Sequence, residues 1–139
     1  MFESVVSLRI VKLPHFFEDN GDLVVIEGSI NVAFDIARVF VVRAPDGAIR
    51  GQHAHRKCSQ FLTCTSGAIE VVCDDGRQIA EFVLDHPNVG LLVPAGIWSQ
   101  QTYRGPQASL TVLCDRRYEA ADYIRDYGSF LDFRAGKSG

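Results

Sequence analysis

Short apolar runs broken by turn-forming residues constrain this chain more than any other feature. Residues 5–13, 23–27, 38–43, 60–65, 68–73, 79–84, 89–93 and 107–114 read as strands, with no helical period among them. Between them stand Asn20-Gly21, Pro45-Asp46-Gly47, Asp74-Asp75-Gly76, His86-Pro87-Asn88 and Gly105-Pro106, each carrying a residue suited to positive φ or to a fixed turn φ. Eight or more short strands at this spacing predict an all-β jelly roll closed around a central cavity. One helix is expected, from Glu119 to Phe130, where Ile124, Tyr127 and Phe130 recur every three residues, and it should cap the barrel. With 139 residues the chain holds one core, so a single domain over 1–139 is expected: a barrel over about 5–115, the helix over about 119–130, and a tail from 134 to 139 that frays.

Composition excludes several classes of partner. An apolar share of 47% and a charged share of 22% are ordinary for a globular protein, and 9 Phe with abundant Val favour sheet. A net charge of −3 argues against a nucleic-acid surface, which needs a concentrated excess of Lys and Arg. No apolar run approaches the length that spans a bilayer, and no basic-then-apolar leader opens the sequence; no membrane association and a cytoplasmic location are expected. Cys58, Cys64, Cys73 and Cys114 form no CxxC pair and read as free, buried thiols.

The chemistry concentrates at His53-Ala54-His55. Alternate strand residues share a face, so two imidazoles one residue apart can enter one pocket. Metal-binding cupin barrels carry such a pair, then an acidic residue, then a glycine, then Pro-x-Gly-x-x-His. Here Gln60 takes the acidic position, Gly67 follows at the expected distance, and Pro94-Ala95-Gly96-Ile97-Trp98 leads to Ser99 where the third histidine would fall. An amide and a hydroxyl replace a carboxylate and an imidazole poorly as ligands. The two histidines are therefore read as acid/base groups, with no metal and no cofactor.

The run Arg50-Gly51-Gln52-His53-Ala54-His55-Arg56-Lys57, with Gln60, Ser66-Gly67, Asp74-Asp75-Gly76, Asp35-Ile36-Ala37-Arg38-Val39, Ile97-Trp98, Asp122 to Tyr127 and Phe130, resembles the nucleotide-sugar 3,4-ketoisomerases of the WxcM-like family. The likeness runs from about residue 8 to residue 131. It implies a cupin-type barrel that converts a dTDP-4-keto-6-deoxyhexose to the 3-keto sugar without metal or redox cofactor. One of His53 and His55 would take the C3 proton while the other relays or orients protons as C4 is reprotonated. Arg38 and Arg50 align with recurrent family arginines and would contact the substrate, as guanidinium groups suit phosphate oxygens. Gln60 would hold an enediolate oxygen or fix an imidazole tautomer, and Trp98 would stack on the base or fill the barrel mouth. Asn20 and Ser99 stand where many members carry Arg, and His or Arg, at the sugar end of the pocket. Phe40-Val41 replaces a tyrosine-bearing aromatic pair, so the proton donor stays unassigned. A sugar-nucleotide epimerase and a non-catalytic sugar-nucleotide-binding cupin are the alternatives. The long apolar run Val5 to Leu13 would be an exposed edge if unpaired, and the resemblance implies a homodimer in which such strands pair across subunits.

Overall fold

The computed structural model describes residues 2–136; the expected fraying of 137–139 lies outside the described residues. Ten strands form: β1 Ile10–Lys12, β2 His15–Glu18, β3 Gly21–Val24, β4 Arg38–Arg43, β5 Ile49–His55, β6 Gln60–Asp74, β7 Ile79–Leu84, β8 Val89–Val93, β9 Trp98–Cys114 and β10 Tyr123–Ile124, followed by helix α1, Tyr127–Arg134.

Two long strands organise the jelly roll. β6 and β9 run antiparallel from Gln60 opposite Cys114 to Asp74 opposite Trp98, with register shifts around Ser66. At this bend each strand changes neighbours. β6 pairs with β8 through residues 60–63 and with β7 through residues 69–74; β9 pairs with β4 through residues 109–114 and with β5 through Ser99 to Thr102. One bent pair thus supplies the middle of two facing sheets. Gly67 makes the bend possible: its φ is 72°, and a Cβ there would meet the Arg104 carbonyl at 2.7 Å. The expected strands 60–65 and 68–73 are the two halves of β6. Between the sheets pack Leu62, Ile69, Val71, Leu84, Leu91, Tyr103 and Leu110, all at most 2% exposed.

Two expectations are corrected. Residues 5–13 are not one exposed strand: Val5–Ser7 is a 3-10 turn, and β1 pairs with β8 of the same chain. Val5, Leu8 and Leu13 are buried in the chain's own core, while Val6 and Ile10 are 62% and 39% exposed and β1 is the edge strand of its sheet. The helix begins at Tyr127 rather than Glu119, because Asp126 is its N-cap, its carboxylate accepting from the Ser129 N–H at 2.8 Å. Before it, Ala120–Asp122 forms a 3-10 turn and Tyr123–Ile124 adds a strand to β5, with Tyr123 opposite His55. The spacing of Ile124 and Phe130 signalled burial, but a strand and a helix bring them together, against Ala54 and Trp98.

Candidate active site

The site is built where β5 is clamped between β9 and β10. Gly51 and Gln52 have φ of 89° and 57°, and the register slips between Gly51 and His53. A bulge re-aims the side chains beyond it. Glycine suits position 51 because of its positive φ, and a Cβ there would also crowd the Ser99 carbonyl at 3.1 Å. Past the bulge His53 lies opposite Ser99, and the His53 and His55 rings pack edge to face with centroids 5.1 Å apart. Tyr123 covers both, its ring 5.1 Å from His53 and 4.4 Å from His55.

Asp122 holds the second histidine. Its Oδ2 lies 3.0 Å from His55 Nδ1, while Lys57 N–H donates to Oδ1 at 2.7 Å and Cys58 N–H donates to Oδ2 at 3.2 Å. Three donors fix the carboxylate, and the carboxylate fixes the ring. Among the described residues, His53 Nδ1 and His55 Nε2 are buried side-chain polar atoms without a partner. Such orphans are costly in a folded protein and signal a ligand or a reaction. Burial pushes the His53 imidazole down from 6.5 to about 4, with the charges of His55 and Arg125 adding to it and a backbone contact at Gly51 opposing. Burial lowers His55 as well, against the opposing pull of the Asp122 hydrogen bond and charge. Both rings are thus neutral at pH 7 and able to accept a proton.

His53 opens into a cavity of about 390 Å³, with Arg38, Arg50, Gln60, Tyr123 and Arg125 among its lining and Phe40, Val42, Leu62 and Leu110 giving it an apolar wall. Among the described residues, no acidic side chain lines it. The Arg38 guanidinium lies over the Phe40 and Tyr118 rings at 4.6 and 5.1 Å, and Arg125 lies over Tyr123 at 4.5 Å. Three guanidinium groups around an apolar-walled cavity suit an anion carrying a less polar group. Tyr103 also lines it, its phenol raised by burial to about 12 and therefore protonated.

The expected site residues fall into three groups. His53, Arg38, Arg50 and Gln60 share the cavity, with His55 packed behind and Ser99 buried opposite His53. Trp98 borders a second depression with Gln100, Asp126 and Tyr127, which meets the first at Gly51, Gln52 and Arg125; its indole packs on Tyr127 and Phe130. Asn20 sits at the turn of the β2–β3 hairpin, where it lines a separate depression with Phe16 and Leu23 and borders neither of the other two. The four metal positions of the cupin pattern do not suit a metal. Gln60 donates to the Cys114 sulfur at 3.5 Å and Ser99 accepts from Gln101 Nε2 at 3.1 Å, so an amide and a hydroxyl already engaged stand where a carboxylate and an imidazole would ligate.

The sequence alone does not place Asp122, Tyr123 and Arg125 in the site, although the segment Asp122 to Tyr127 carries part of the family resemblance. The signal was Asp126 with Ser129, which starts the helix later and leaves Asp122 to Arg125 free to lie along β5.

The family model described as WxcM-like, C-terminal, matches residues 6–135. A TDP-4-oxo-6-deoxy-alpha-D-glucose-3,4-oxoisomerase from Aneurinibacillus thermoaerophilus is 35% identical over 128 residues, covering 91% of this chain and 92% of that protein. The sugar 3,4-ketoisomerase QdtA from Thermoanaerobacterium thermosaccharolyticum, solved with TDP, superposes with a TM-score of 0.90 at 28% identity over 96% of this chain and 98% of the other. A 3,4-ketoisomerase from Helicobacter canadensis gives 0.89 at 29% identity over 93% and 98%. Fold, paired histidines and near-complete coverage agree, and the chain belongs to the WxcM-like, C-terminal family.

Proposed function

We propose that the protein is a 3,4-ketoisomerase acting on a dTDP-4-keto-6-deoxyhexose. Relatives that match over nearly their whole length carry this activity in their names, and the observation that supports it in this chain is the pair of neutral, partnerless imidazole nitrogens beside a cationic cavity. Arg38, Arg50 and Arg125 bind the diphosphate end, and the sugar reaches the histidines. The C4 ketone acidifies the C3 hydrogen. His55 Nε2 takes that proton, because the Asp122 carboxylate on its far nitrogen stabilises the imidazolium that forms. His53, alongside, takes a proton from the His55 imidazolium or from solvent on one nitrogen as it gives its own to C4 of the enediolate, while the C3 hydroxyl proton passes to the C4 oxygen, and the ketone is left at C3. Gln60 donates to an enediolate oxygen. No step calls for a metal or redox cofactor.

The experiment is incubation with dTDP-4-keto-6-deoxyglucose in D₂O followed by NMR of the recovered sugar. A 3-keto product with deuterium at C4 is expected. Deuterium at C3 or C5 with the ketone still at C4 would identify an epimerase, and no exchange a binding protein.

The working form is a homodimer in the cytoplasm. The support for assembly lies in the β2–β3 hairpin rather than in Val5 to Leu13. Phe16 and Phe17 point to opposite faces of the hairpin, yet are 57% and 75% exposed; Leu23 and Ile30 are 60% and 74% exposed. An apolar hairpin bare on both faces needs cover, and a second copy of the chain supplies it symmetrically. Free, buried cysteines are consistent with a reducing compartment, and among the described residues no helix is long and apolar enough to cross a membrane.

A further inference from the structure

Behind the cavity wall, His55, Cys58 and Asp122 offer an imidazole nitrogen, a thiol and a carboxylate oxygen, all within 4.8 Å of one another. The cluster is preorganised. Asp122 is pinned by the Lys57 and Cys58 N–H groups, and His55 is held by the pairing of β5 with β10. The Cys58 thiol donates to the Ser59 carbonyl at 3.4 Å, a contact it can give up on coordination. Sulfur, imidazole and carboxylate together form the donor set of zinc and of its softer congener cadmium, whereas magnesium and calcium require mainly oxygen. This cluster is not the cupin metal position, since His53, Gln60 and Ser99 take no part in it.

We propose that His55, Cys58 and Asp122 form an inhibitory site for a thiophilic divalent cation such as zinc. Its effect on turnover rests on the ketoisomerase reading; the binding does not. On coordination the Cys58 thiol releases its proton to solvent, and the cation takes the lone pair of His55 Nδ1, the nitrogen facing Asp122. The ring remains neutral, so the hydrogen that Nδ1 gave to Asp122 is carried by Nε2 instead. Nε2 then has no lone pair with which to accept the C3 proton. Turnover stops while the arginines still bind the nucleotide.

The test uses chelator-stripped whole protein titrated with cadmium chloride in the absence of substrate, reading the ultraviolet thiolate-to-cadmium charge-transfer band in wild type and Cys58→Ser. Circular dichroism confirms that the variant is folded. The expected result is a band saturating at one equivalent in wild type and missing from the variant. In parallel, the zinc concentration that halves turnover should rise at least about tenfold in Cys58→Ser, as loss of a metal partner costs on this scale or more. Chelator alone should leave wild-type turnover intact. No band in wild type, or an undiminished band in the folded variant, overturns the site. Should Cys58→Ser fail to fold, the ¹¹³Cd NMR shift of the wild-type complex decides: a mixed sulfur, nitrogen and oxygen environment supports the site, and an all-oxygen one overturns it. A Cys58-dependent band in a chain without isomerase turnover would keep the site and sink the functional reading; normal turnover without a band would do the reverse.

Discussion

Asp122 Oδ2 stands 3.0 Å from His55 Nδ1, joining residues 67 positions apart through one contact. Since the same carboxylate accepts from the Lys57 and Cys58 N–H groups, it is rigid, and the imidazole inherits that rigidity. Asp122→Asn keeps the size but must present its amide nitrogen to one of three donors. If it turns that nitrogen to His55, Nδ1 becomes the acceptor and Nε2 the N–H, the wrong tautomer for a base. We expect kcat to fall by about two to four decades with nucleotide affinity retained. Turnover and ¹⁵N NMR of the imidazole check this together. Unchanged kcat with a shifted tautomer would exclude His55 as the base.

The acid side of the pH profile follows from burial. A base works when deprotonated, and burial moves the His55 imidazole down from 6.5, so His55 stays competent as pH falls below that value. His53, brought down to about 4, stays neutral beside it. The acid limb of kcat/KM should therefore lie below the ordinary imidazole range. A limb at 6.5 would assign the titration to some other group.

Stability has a related dependence with its own sign. The unfolded His53 takes up a proton below about 6.5 while the folded one resists until about 4, so its contribution is lost as pH falls across that window. Asp75 is partly opposed by burial, but the N–H groups of Gln78, Val5 and Arg77 and the Ser4 hydroxyl bring its carboxyl down to about 2; its contribution is lost between 3.8 and 2. Urea midpoints should decline in two stages, with Asp75→Asn removing the lower one alone.

Strand content and turn positions were legible because period and punctuation are local. The pairing that makes the site was not. The sequence places His53 and His55 on one face, and the rings do meet; that Asp122 and Tyr123 lie beside them depends on β10 joining β5, a contact that no local period encodes. Likewise β6 crosses its bend without a break, because Gly67 tolerates a φ that reads locally as a turn. The run from Val5 to Leu13 misled for the opposite reason. Val5, Leu8 and Leu13 are buried through a 3-10 turn and the approach to and from a three-residue strand rather than as one face of a long strand, and Val6 and Ile10 remain exposed.

Assembly is tested at the hairpin. Phe17→Asp places a charge on a face that is 75% exposed in the single chain, so it should leave the monomer folded and break an interface that buries it. Sedimentation at micromolar concentration should show wild type at twice the chain mass and the variant at one. Wild type already monomeric would refute the homodimer, and a dimeric variant would move the interface elsewhere, with the unpaired outer edge of β4, where Val39 and Val41 are exposed, next to be examined.

The histidine pair is separated from a mere binding role by exchange. His53→Asn and His55→Asn keep side-chain size and hydrogen-bonding capacity but remove a group able to take and return a proton, which should cost about two to four decades in rate. Sugar-free dTDP should bind both variants nearly as wild type does, because the cavity's guanidinium groups are untouched. The two variants should differ in kind. With His55→Asn the C3 proton is not removed, and neither carbon gains deuterium. With His53→Asn the C3 proton still leaves to His55, so solvent deuterium returns slowly to C3 while transfer to C4 fails. Deuterium reaching C4 at the wild-type rate in His53→Asn would hand the delivery step to another protonated group on the cavity wall, of which Tyr103, raised to about 12, is the first to replace with Phe.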